Sequence, residues 1–111
     1  MDNAGGWQRA SGRSDIRAGE VLGVRVGDAQ IALVELDGQV HAFGDICPHA
    51  FALLSQGYLD GSEIECPLHA ARFVIRTGRC IEGPTTEAVA VYEVNIDGPD
   101  VYVRSAKAVA G

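Results

Sequence analysis

Four side chains in this sequence could bind a metal together. Cys47 and His49 lie in Cys47-Pro48-His49, and Cys66 and His69 lie in Cys66-Pro67-Leu68-His69. Sixteen residues separate His49 from Cys66. A thiolate is a soft anionic donor and an imidazole a neutral one, so the four residues make a metal-site signature. The proline after each cysteine stiffens its segment, so the ligand direction is fixed before a metal arrives. A Cys2His2 set also describes structural zinc, but zinc fingers more often pair cysteine with cysteine and histidine with histidine. Here each pair mixes the two.

Such segments need a scaffold that brings two loops side by side, and the flanks predict one made of short strands. Val21 to Val26 alternates apolar and polar residues, and Gly27-Asp28 turns it into Ile31 to Leu36. Asp37-Gly38, followed by Val40 to Phe43, is a strong hairpin signal. Ile64-Glu65-Cys66 reads as a strand feeding the second ligand pair. Phe73-Val74-Ile75 and Cys80-Ile81 flank a turn at Thr77-Gly78, and Gly83-Pro84 breaks the pattern. Val89 to Ile96 and Val101 to Val103 close the chain around Asp97-Gly98-Pro99-Asp100. Trp7 is expected in an opening edge strand, with frayed residues before it and after Arg104. Turns every eight to twelve residues predict an all-β antiparallel sandwich or barrel.

At 111 residues the chain is expected to be one domain. A domain of this size buries about two-thirds of its unfolded-chain surface, enough for one modest core. The net charge of −6 argues against nucleic acid and favours a basic protein partner. No basic and apolar leader and no apolar run long enough for a bilayer is visible, so no membrane is expected. Three cysteines, two of them claimed by the metal motif, exclude a disulfide framework and point to a reducing cytoplasm.

The ligand order resembles a Rieske iron–sulfur domain, in which two histidines replace two cysteines on one iron of a 2Fe-2S cluster. The likeness extends to Leu54-Ser55-Gln56-Gly57, Arg72-Phe73 and Arg76-Thr77-Gly78, and covers roughly residues 7 to 104. These stretches resemble the small ferredoxins of bacterial aromatic-ring-hydroxylating dioxygenases. The resemblance implies a Rieske domain over 1–111, with a basal β scaffold at about 7–44 and 84–104. A cluster-binding subdomain of two ligand loops would occupy about 45–83. It also implies one 2Fe-2S cluster, with Cys47 and Cys66 on the inner iron and His49 and His69 on the outer. Imidazoles donate less than thiolates, so the outer iron is the easier to reduce. Rieske centres span about −150 to +300 mV. The chain lacks the extra cysteines of the respiratory type, so a potential toward the low end is expected.

The resemblance further implies a monomeric one-electron carrier between a NAD(P)H-dependent flavoprotein reductase and a terminal oxygenase, docking near His49 and His69. Ala50, Phe51 and Ala70 stand where the family often carries polar residues or glycine, so an apolar docking rim of Phe51, Leu53 and Leu68 is expected. Catalysis by the chain itself is not. Oxygen activation needs a second iron, usually on two histidines and a carboxylate, and only His41 is left over. Two alternatives stand beside the carrier: the small Rieske subunit of an assimilatory nitrite reductase, and a zinc-stabilised interaction module. His41 and Cys80 read as packing residues rather than ligands, and Arg72, Arg76 and Arg79 as a basic hairpin face.

Overall fold

The apolar run Ile31-Ala32-Leu33-Val34 is buried on both faces, and the molecule is built around it. The computed structural model describes residues 6–48, 52–68, 71–83 and 87–105. The run lies in β3 (Ala29–Leu36), between β2 (Val21–Val26) and β4 (Gln39–Gly44). Asp37 and Gly38 make the β3–β4 turn with φ of +53° and +80°, the left-handed pair that suits the twist of a two-residue hairpin. Beyond β4 the sheet continues through β9 (Val91–Asp97) and β10 (Asp100–Ser105) to β1 (Gln8–Gly12). Its strand order is β1-β10-β9-β4-β3-β2. A second antiparallel sheet runs in chain order through β5 (Tyr58–Asp60), β6 (Glu63–Glu65), β7 (Arg72–Val74) and β8 (Cys80–Glu82). Among the described residues there is no α-helix, and short 3-10 turns lie at Arg13–Asp15 and Leu54–Gln56.

Side-chain alternation along β3 divides the interior in two. Ile31 and Leu33 face Val26, Val40, Ala42, Val101 and Val103 within the large sheet. Ala32, Val34 and Leu36 face the other way, into a core with Phe43, Leu54, Ile64 and Phe73. Cys47 and Cys66 belong to this second core. The same strand thus closes one apolar cluster and floors the ligand loops. Fully burying a side chain such as Phe43, Leu54 or Phe73 contributes roughly 1.5–3 kcal/mol each.

The all-β expectation holds, and the strands lie close to where alternation and turns put them. β5 was not foreseen, since Tyr58-Leu59-Asp60 is too short to show a period. β9 starts at Val91 rather than Val89 because the two preceding residues bond elsewhere. Val89 N–H donates to the Gly78 carbonyl, and the Ala90 carbonyl accepts Gly44 N–H. Trp7 sits just ahead of β1, with the Arg104 guanidinium 4.4 Å from its ring centre.

Candidate metal centre

Both cysteine segments leave strands and are closed in the same way. Cys47 N–H donates to the Ala52 carbonyl at 3.0 Å, and Cys66 N–H donates to the Ala71 carbonyl at 2.7 Å. In each case the acceptor lies five residues on, so two loops of equal span are pinned at matching points. An isolated bridge between Ile46 and Leu53 extends the first closure. The ladder pair Glu65 and Arg72 extends the second.

The fold brings the two cysteines together. Both are almost wholly buried, and their side chains are in hydrogen-bond contact. Burial pushes the Cys66 thiol up, the Leu68 N–H directed at it pulls it back, and the nearness of Cys47 adds to the rise. Two adjoining buried thiols ionise together only when a cation compensates them, and metal binding supplies that charge. The N–H donor at Cys66 is the kind of contact that stabilises a sulfur ligand. On these grounds the two cysteines fit a thiolate-bound metal. His49 and His69 lie outside the described residues, as do Ala50, Phe51, Ala70 and Pro84. Among the described residues no third histidine, cysteine or carboxylate joins the pair.

Behind the first loop, the Asp45 carboxylate is 2% exposed. It accepts Ser55 N–H at 2.6 Å and Ser55 Oγ–H at 2.7 Å. Burial pushes this carboxyl up and the two bonds from Ser55 pull it back. Nothing local in the sequence singles out Asp45, because a lone aspartate before a ligand loop reads as a turn residue.

Apolar groups surround the loops. Ile46 is 51% exposed and Leu68 47%, and Ile46, Ala52, Leu53 and Gln56 line a shallow cleft of about 270 Å³. Leu53 and Leu68 are expected in the rim from the sequence, and Ile46 is an addition made by the fold. His41 is half-buried in β4, and Cys80, the first residue of β8, packs against the core.

One expectation is overturned. Arg72 and Arg76 do not stand as a free basic face, because each meets carboxylates. The Arg72 guanidinium contacts Asp60, Glu63, Glu65 and Glu82 at 3.1–3.5 Å, leaving that side of the small sheet acidic. Arg76 instead meets Asp37 of the β3–β4 turn. Alternation along three-residue strands puts these carboxylates on one face, a pattern too short to read from the sequence.

The Rieske [2Fe-2S] domain model matches residues 6–93. The ferredoxin component of the naphthalene 1,2-dioxygenase system of Pseudomonas putida is 42% identical over 97 residues, spanning 87% of this chain and 93% of the relative. The ferredoxin of carbazole 1,9a-dioxygenase from Nocardioides aromaticivorans IC177 superposes with a TM-score of 0.84 at 31% identity, covering 91% of this chain and 99% of the other. A chain from the complex of reduced oxygenase and oxidized ferredoxin in carbazole 1,9a-dioxygenase has a TM-score of 0.83 at 37% identity, covering 94% and 97%. Matched over most of its length in sequence and in fold, the chain belongs to the Rieske [2Fe-2S] domain family.

Proposed function

We propose that this chain is the ferredoxin component of an aromatic-ring-hydroxylating oxygenase system, carrying one electron at a time from a NAD(P)H-dependent flavoprotein reductase to a terminal oxygenase. The observation that carries this reading is the pair of matched loops, which hold Cys47 and Cys66 together in the core of a domain whose relatives are such ferredoxins. Cys47, His49, Cys66 and His69 would hold the cluster, the two cysteines supplying thiolates to one iron and the two histidines imidazoles to the other. The cluster supplies reversible one-electron chemistry.

The protein's own groups set the conditions for that chemistry. Cys47 and Cys66 supply two negative charges within an apolar core, and the Leu68 N–H moderates the charge on Cys66. Phe43, Leu54, Ile64 and Phe73 exclude water from the sulfur side. Ile46 and Leu53 in the cleft of the first loop, and exposed Leu68 after Cys66, offer the partner apolar surface that can be desolvated when the proteins dock. The net charge of −6 steers a basic partner face towards the protein. In this reading the chain is one Rieske domain over 1–111, with a base at about 7–44 and 84–104 and a cluster-binding part at about 45–83. It works as a monomer in the bacterial cytoplasm, where it docks near His49 and His69. Among the described residues no helix is long and apolar enough to cross a membrane.

Reconstitution tests the proposal. Candidate reductase and oxygenase are supplied with NADH and an aromatic substrate, with and without this protein. Product formation that depends on the added chain supports it, and equal turnover without the chain overturns it.

A further inference from the structure

The two ligand loops come from separate stretches of chain, and their cysteines must be held at a fixed separation. A continuous path of contacts joins them outside the metal site. It starts at Asp45, two residues before Cys47, whose buried carboxylate accepts the Ser55 N–H and Oγ–H. Leu54 N–H donates to the Asp45 carbonyl at 2.7 Å, so three bonds tie the entry of the first loop to the turn Leu54–Gln56. Gly57 N–H donates to the Leu54 carbonyl at 2.8 Å and ends that turn.

Gly57 then rests on the entry to the second loop. A Cβ built there would overlap the Glu65 carbonyl oxygen and stand 3.1 Å from Pro67 Cδ. Glu65 and Pro67 are the two neighbours of Cys66. From behind, Gly23 of β2 backs the clasp, because a Cβ there would come 2.7 Å from Ser55 Oγ and 2.8 Å from Asp45 Oδ2. The path is therefore confined on both sides by backbone that no side chain can occupy.

We infer that the Asp45–Ser55 clasp and the bare Cα of Gly57 act as a gauge that sets the separation of Cys47 and Cys66, making Ser55 and Gly57 positioning residues for the electron-transfer centre. The inference rests on these cysteines being the thiolate ligands. A methyl group at Gly57 must push residues 54–57 off Glu65 and Pro67. That displacement reaches Cys66 directly and Cys47 through Ser55 and Asp45. Removing the Ser55 hydroxyl loosens the same path without adding bulk. Ligand geometry and sulfur environment tune an iron–sulfur centre, so its spectrum and potential read the gauge directly.

The test compares cluster-loaded wild type with Gly57→Ala, Ser55→Ala and Gly61→Ala. Gly61 sits in the β5–β6 turn at φ +62° with nothing within 4 Å, so its variant carries backbone strain without the collision. For each protein one measures iron and sulfide content, the electron paramagnetic resonance g-values of the reduced form, the midpoint potential and the thermal midpoint. Gly57→Ala and Ser55→Ala are expected to shift both g-values and potential. Gly61→Ala is expected to lower the thermal midpoint while both stay at wild-type values. Wild-type g-values and potential in Gly57→Ala would overturn the inference, as would equal shifts in Gly61→Ala. Should Gly57→Ala fail to fold, Ser55→Ala decides alone, and an unchanged signature there overturns it. Wild type lacking iron and sulfide would instead defeat the ligand assignment, which is a separate failure.

Discussion

Glu65 and Arg72 face each other across the mouth of the second ligand loop, with Glu65 Oε1 3.1 Å from an Arg72 guanidinium nitrogen. Asp60, Glu63 and Glu82 crowd the same guanidinium. Arg72→Gln should leave four carboxylates repelling one another beside Cys66. The expected outcome is a lower thermal midpoint at low ionic strength and a deficit that shrinks as salt screens the repulsion. Melting curves over a salt series check this. A deficit independent of salt would assign Arg72 a packing role instead.

Leu54 is wholly buried between the loops and β3, in the core that contains both cysteines. Leu54→Ala should cost about 2–5 kcal/mol in unfolding free energy, since the cavity cannot collapse against two strands. Urea unfolding of the loaded protein measures it. Cluster loss during purification should accompany the change, because the removed side chain also floors the first loop.

His41 Nε2 is buried and, among the described residues, has no hydrogen-bond partner. Burial, aided by the Arg76 guanidinium, pushes the imidazole below its usual 6.5, while Asp37 pulls the other way. The unfolded chain then takes up this proton more readily than the folded one. Stability from His41 is therefore full above about pH 6.5 and falls as the pH drops below it. His41→Gln should flatten this acid limb in unfolding free energies measured between about pH 8 and 5. A limb of unchanged slope would remove His41 as its source.

Leu68 is 47% exposed beside the second loop. Leu68→Asp should slow electron delivery to the oxygenase while leaving the absorption spectrum intact, since the side chain burdens docking while the backbone N–H at Cys66 is kept. Stopped-flow mixing of reduced variant with oxidised oxygenase checks it. An undiminished rate would move the docking face elsewhere. Ile46→Asp tests the cleft beside the first loop in the same assay.

The scaffold was legible because its signals are local. Asp37-Gly38 fixes a hairpin by backbone preference alone, and alternation in β2 and β10 marks which side faces inward. The paired Cys-Pro segments stand out because soft ligands at short spacing have few other uses. What stayed hidden depends on contacts across the chain. Asp45 finds Ser55 ten residues on, and Gly57 is pressed on Glu65 by the packing of the loops. Arg72 gathers carboxylates from β5, β6 and β8, which the sequence spreads over more than twenty residues. His49 and His69 remain assignments from sequence and family, outside the described residues.

The centre itself is tested most directly by iron and acid-labile sulfide analysis of the purified protein. Two irons and two sulfides per chain are predicted, as a [2Fe-2S] domain requires. A stably folded protein with neither, or one holding zinc in their place, would contradict the account.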